Sequence, residues 1–235
     1  MTLSQQSDEG DRTTLSNQAH RRLIGYLGLL LPFILLILAR IRPTTGLEPG
    51  EILGSVSAYY YTGAVAAFVG VLFALSLFLF TYRAGYERDL ADRIAGAVGG
   101  LSALCVAFFP TGPPGAVPQL SWWSETTRTI HYVSAVSLFA VFIVFSLWLF
   151  RKTNVPKGDD LPPDKLWRNR IYVACGVVMV GSVAWAGSSL FTDAPIFWPE
   201  TFAFGAFAVS WLVKGYAYRP VSKVARKIFN GQASP

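Results

Sequence analysis

The sequence predicts an all-α integral membrane bundle of six transmembrane helices, and three observations carry that expectation. Of 235 residues, 52% are hydrophobic and only 14% charged, against about 25% charged in an ordinary soluble domain. The charges cluster: the stretch LIGYLGLLLPFILLILA, Leu23 to Ala39, carries none and approaches the ~20 residues a helix needs to cross a bilayer. Finally, the apolar runs are long and continuous rather than short and alternating, which favours helices over a β-barrel because main-chain groups in lipid must be bonded internally.

Six apolar segments follow in order, at 22–39, 57–82, 92–110, 129–150, 171–191 and 200–217. Each connector is marked by helix breakers: RPTTGLEPGE, YERDLAD, TGPPGAVPQLSWWSETT, RKTNVPKGDDLPPDKLWRNR and TDAPIFWPE. The lead MTLSQQSDEGDRTTLSNQAH is too polar and acidic for a signal peptide. Residues 1–20 therefore read as a disordered cytoplasmic tail, 21–218 as the six-helix domain and 219–235 as a basic cytoplasmic C-terminal tail.

With the N-terminus inside, 17 of the 20 Lys and Arg fall in inner segments, leaving Arg40, Arg42 and Arg128 outside. That asymmetry predicts both termini in the cytoplasm and a cell (inner) membrane location. Trp122, Trp123 and Trp198 then mark the outer interface, and Trp148 and Trp167 the inner one. The net charge of +6 flanks apolar runs rather than lining one face, so membrane lipids rather than nucleic acid are the expected partners.

Small residues supply close approach between helices: Gly96 and Gly100 in a GxxxG, Gly63, Ala67 and Gly70, and a stripe from Gly176 through Gly181, Ala184 and Gly187 to Ser188. They permit a homo-oligomer without requiring one. Packing within one bundle is the favoured reading.

This topology gathers nearly every polar residue near a span at the outer face. The segment SVSAYYYTGA opens the second run, FFPTGPP ends the third, and Thr127, Arg128 and His131 open the fourth. Asp193 follows the fifth, and Glu200 opens the sixth. The candidate ligand-binding residues are therefore Ser57, Tyr60, Tyr61, Arg128, His131, Asp193 and Glu200. On a helix Tyr59, Tyr60 and Tyr61 would point ~100° apart, so they read as part interface anchor and part wall of an outer-leaflet cavity, with the Phe109–Pro110 break at its rim. His131 is expected to pair with Glu200 or Asp193, and Glu200 with Arg128 or His131. The bland alternatives are an interfacial histidine bonded to a neighbouring helix, and a Glu200 that merely complements a helix N-terminus. Lys214 stands ~21 Å along the same helix from Glu200 and is expected to snorkel to the inner headgroups.

Several chemistries are disfavoured. One histidine near the spans does not make a zinc site, which takes three or four protein ligands. Cys105 and Cys175 differ in depth by roughly 16 Å and cannot pair. No P-loop, dinucleotide fingerprint or GxSxG is present, and no cofactor is expected. Ser57, His131 and Asp193 or Glu200 have the residue types of a hydrolase triad, although serine is common in spans for packing alone.

The motifs SAYYYTG, ALCVAFFPTGPP, IHYVSA and ETFAFGAFAVSWLVKG, within residues 55–216, resemble an uncharacterised bacterial six-span membrane protein family, distantly similar in layout to DRAM-like and Frag-like multi-pass proteins. The resemblance implies six helices and an outward polar cluster, and no reaction. The alkaline ceramidase and adiponectin-receptor superfamily is disfavoured, because its metal-binding histidines near the last spans are absent. Three functions stay open: binding a lipid or amphiphile in an outer-leaflet cavity, a small proton- or cation-coupled carrier or channel, and a lipid-modifying enzyme with His131 as general base.

Overall fold

The computed structural model describes residues 3–48, 50–83, 90–153, 160–192 and 194–216. Among them are six α-helices and no strand: α1 (Leu3–Ile41), α2 (Val65–Phe80), α3 (Leu90–Phe108), α4 (Glu125–Leu147), α5 (Pro163–Thr192) and α6 (Phe197–Tyr216). Two short 3₁₀ turns, Ser57–Tyr61 and Leu149–Arg151, precede α2 and follow α4. Four helical segments are long and apolar enough to cross a membrane: Ser16–Ile41, Leu90–Phe108, Glu125–Arg151 and Pro163–Ser189. Helix α2, with 16 residues, is about 24 Å long, shorter than a ~30 Å hydrocarbon core.

Local chemistry explains most of the boundaries. Ser124, in extended conformation, caps α4 by accepting the Thr127 N–H at 3.3 Å. Pro163 opens α5 and Pro199 lies in the first turn of α6, where a missing N–H costs nothing. Helix α1 begins at Leu3, where the sequence suggests a disordered tail to residue 20. Once the apolar part of α1 is helical, its polar extension avoids the nucleation cost. The basic tail 219–235 lies outside the described residues.

The helices form a ring in chain order, α1 to α6, with α6 closing against α1. Neighbours run in opposite directions. Gly25 and Gly28 of α1 meet Leu212 and Phe207 of α6, and Arg22 donates to the Gly215 carbonyl. The α2–α3 pair is joined by Ser76 Oγ donating to the Gly100 carbonyl at 2.7 Å, and α3–α4 by Ser102 to Ser137 at 3.0 Å. Ser146 of α4 donates to the Tyr172 carbonyl of α5 at 3.1 Å and also bonds Ser210 of α6. These bonds satisfy polar groups that have no water to turn to.

Inside the ring lies an aromatic core. Phe142 stacks on Phe207 with centroids 3.7 Å apart, and Trp211 packs edge-on against Tyr82 and Phe150 at 4.9 and 5.0 Å. Outside, large apolar side chains are exposed on every helix, among them Phe33, Leu77, Leu101, Val136, Val177 and Phe202. A continuous exposed apolar exterior around buried serines is the pattern of a chain solvated by lipid. It agrees with a membrane location.

Gly96 and Gly100 are covered by α2: a Cβ at Gly96 would lie 2.5 Å from the Leu79 carbonyl oxygen, and one at Gly100 against the Phe80 ring. In α5, Gly176 meets Leu147 of α4, whereas Gly181 and Gly187 have open space. Gly96→Ala should therefore destabilise the protein in detergent by about 1–3 kcal/mol through overpacking, read as a lower unfolding temperature. Gly181→Ala should leave it unchanged or slightly raised.

Candidate functional site

The segment Leu53–Gly63 builds the end of the bundle at which α2 begins. Ser55 and Thr62 bracket it: Ser55 Oγ accepts the Ala58 N–H at 3.1 Å, while Thr62 Oγ1 donates to the Tyr59 carbonyl at 2.8 Å and accepts the Ala64 N–H at 3.1 Å. Hydroxyls bonded in this way compete with α-helical pairing. Ser57–Tyr61 is consequently a 3₁₀ turn, and Thr62 is extended at φ −118°, ψ 174°. The expectation that the three tyrosines begin a membrane helix is corrected: α2 starts only at Val65.

The segment then reaches α4, the start of α6 and the loop after α1. His131 of α4, 2% exposed, sits with Nε2 3.0 Å from Ser57 Oγ and Nδ1 2.7 Å from the Phe109 carbonyl. A carbonyl only accepts, so Nδ1 carries the proton; with the ring neutral, the Ser57 hydroxyl donates to Nε2. Glu200 Oε2 accepts the Val56 N–H at 2.6 Å. The Gly54 carbonyl accepts the Ile196 and Phe197 N–H groups at 2.7 and 3.0 Å, fixing the start of α6. Gly63 N–H donates to Thr44 Oγ1 at 3.3 Å.

The tyrosines divide by role. Tyr59 is fully buried, its phenol oxygen accepting the Leu53 N–H at 3.3 Å. Tyr61 is buried and donates to the Thr111 carbonyl at 2.6 Å, which also receives Trp123 Nε1–H at 2.9 Å. Burial pushes both phenols up, Tyr61 to about 12, so each stays a neutral hydrogen-bonding group. Tyr60 is half-buried, edge-on to Tyr61 and Phe68.

Several expected pairings are corrected. His131 bonds Ser57 and a main-chain carbonyl rather than Glu200. Glu200 bonds a main-chain N–H rather than Arg128 or His131. Arg128 pairs with Glu125 one turn away on its own exposed helix end. Asp193 lies outside the described residues. Lys214 is 7% exposed rather than snorkelling: its Nζ lies 3.5 Å from the Phe150 carbonyl and above the Phe150 ring. At that opposite end of the bundle Lys165 donates to the Phe150 and Lys152 carbonyls at 3.0 Å. Asp92, fully buried, pairs with Lys152. Spacing alone does not reveal that pair, whose one visible signal is an acid at the start of an apolar run.

The Ser57–His131 pair has the hydrogen-bond order in which histidine activates serine. A main-chain carbonyl occupies the orienting position, and both side chains are closed off at 8% and 2% exposure. As arranged, the pair locks the turn to α4. The interior between His131 and Lys214 is filled by Phe142, Phe145, Phe204, Phe207 and Trp211, which is a packed core rather than a polar path.

A cavity of about 230 Å3 lies beside the turn, between the C-terminal end of α1 and the loop that follows it. Leu36, Ala39 and Arg40 line it from α1, Pro43, Thr44, Leu47, Glu48, Gly50, Glu51, Ile52 and Leu53 from the loop, and Thr62 from just past the turn. The expected outer cavity around Ser57 and His131 is thus displaced to the α1 side, touching the turn only through Leu53 and Thr62. Comparison with protein-family models, curated proteins and solved structures finds no match, so function is read from the residues alone.

His131→Ala strands a buried hydroxyl and a carbonyl, and Glu200→Ala strands the Val56 N–H, each unpaired group costing about 1–3 kcal/mol. Glu200→Gln keeps an acceptor. Thermal unfolding in detergent should therefore place Glu200→Gln close to wild type and both alanine variants well below it. Equal damage from Glu200→Gln and Glu200→Ala would show that the carboxylate's charge, not its acceptor role, matters.

Proposed function

We propose that the protein is a six-span protein of the cell membrane, with both termini in the cytoplasm, that binds a lipid or similar amphiphile at its outer face. The α1-side cavity is the observation that carries the reading. Its α1 wall, Leu36, Ala39 and Arg40, follows i, i+3 and i+4 spacing, one face of a helix, and Pro43 adds to it from just past the helix end. Phe33, 52% exposed, lies one turn from Leu36 toward the middle of the span, and Ile37, 57% exposed, lies beside the wall. An acyl chain lying on them would lead its headgroup to the charged rim of Arg40, Glu48 and Glu51. At about 230 Å3 the cavity is smaller than the ~300–1,000 Å3 of sites that enclose whole small ligands, which suits a headgroup with its chain left in the bilayer.

The inward reading of both termini is supported by the placement of 17 of the 20 Lys and Arg. The six-span reading is supported by the antiparallel ring, in which α2 and α6 are enclosed between helices long enough to span. The distant resemblance in layout to DRAM-like and Frag-like multi-pass proteins is in keeping with that arrangement and implies no reaction. Occupation of the cavity, rather than the Ser57–His131 pair, is where we place binding.

Native mass spectrometry on gently extracted protein tests this. Wild type should retain a phospholipid adduct; Ile52→Trp, which fills the cavity from its exposed rim, should lose it, while Val136→Trp on the lipid-facing side of α4 should keep it. No adduct on wild type, or one indifferent to Ile52→Trp, would remove the proposal.

A further inference from the structure

Resting on the reading of the α1-side cavity as an amphiphile site, we infer that its occupant is a zwitterionic phospholipid whose headgroup joins a phosphate to a primary ammonium. The charges of the rim carry this. Arg40 closes one side, its guanidinium so near the loop that a methyl on Gly50 would meet Nη1 at 2.5 Å. On the same stretch of loop, Glu48 and Glu51 are the first and last residues of one turn, closed by the Glu51 N–H on the Glu48 carbonyl at 3.1 Å. Gly50 completes that turn at φ +84°, a conformation open to glycine. Among the described residues no ion pair joins Arg40 to either carboxylate, so the cavity lining presents one cation and two anions.

A guanidinium is a planar fork for phosphate oxygens, and paired carboxylates accept hydrogen bonds from an ammonium. A purely anionic headgroup would meet two repelling carboxylates. A quaternary ammonium offers no N–H and is recognised by aromatic faces. The cavity wall contains no aromatic ring; it offers Glu48, Glu51, Thr44 and Thr62, which are hydrogen-bond acceptors. The chemistry therefore selects a primary ammonium over choline-type and glycerol-type headgroups.

The test measures apparent Kd of the purified full-length chain in detergent for phosphatidylethanolamine, phosphatidylcholine and phosphatidylglycerol of matched acyl chains. The chain-free headgroup, glycerophosphoethanolamine, is run beside them. Wild type should bind phosphatidylethanolamine about tenfold more tightly than the other two, the difference expected for a charge-assisted hydrogen bond. Glu48→Gln with Glu51→Gln should abolish that preference while retaining phosphatidylglycerol binding, and Arg40→Gln should weaken all three lipids. These side chains are exposed, so the variants should fold. Equal affinity of wild type for the three lipids would overturn the headgroup assignment and leave the amphiphile site standing. Binding of none would overturn both, and glycerophosphoethanolamine binding as tightly as the lipid would overturn a membrane lipid as its source.

Discussion

The fold depends on how one irregular stretch of main chain, Leu53–Gly63, satisfies its hydrogen bonds at the end of an apolar bundle. A buried backbone group without a partner is costly, and lipid offers none. Ser55 and Thr62 hold the turn from within. His131 and Glu200 hold it from α4 and α6, and the Gly54 carbonyl in turn seats the first residues of α6. Tyr61 adds the end of α3 through Thr111. The polar residues that converge on this face are therefore bonded to the chain itself, which is why the open cavity lies to one side of them.

That closure organises the rest of the ring. Helices α1, α2, α3, α4 and α6 meet at the turn or at its immediate flanks, and α5 is held through α4 and α6 by Ser146, Ser210 and Tyr172. The aromatic core below, from Phe204 down to Phe150, fills the space a transport path would occupy. Glycine lets backbones approach where this packing is tightest, at Gly28 against Phe207 and Gly96 against Leu79. The end with the turn is closed by neutral hydrogen bonds and one carboxylate. The opposite end is closed by Lys165, Lys214 and the Asp92–Lys152 pair.

Apolar run lengths are enough to locate all six helices, because a helix in lipid needs uninterrupted apolar residues and breakers mark its ends. The start of α2 is not legible in the same way. Tyr and Ala in SVSAYYYTGA read as helical, while the 3₁₀ turn is imposed by local hydroxyl bonds and distant partners. The inward direction of His131 follows from its place near a span; its bond to Ser57 does not, because spacing fixes a residue's direction on its own helix and says nothing of the neighbour's azimuth. Glu200 escapes for a different reason: its partner is a main-chain N–H, and main-chain groups leave no mark in a sequence. The length of the Lys214 side chain suggests the headgroups, whereas the Phe150 carbonyl and ring offer it an internal partner. The cavity is not legible from the expected site residues, because its walls come from Arg40 and the Glu48–Glu51 turn, which read as ordinary connector residues.

Hydrogen–deuterium exchange of the full chain in detergent tests the central role of the turn most directly. If Leu53–Gly63 is held from α3, α4 and α6, a peptide covering it should exchange slowly, on the timescale of the flanking helices and far behind the loop at 43–50. Exchange of that peptide as fast as the 43–50 loop would contradict the account, because it would mean that His131 and Glu200 do not tie the turn into the bundle.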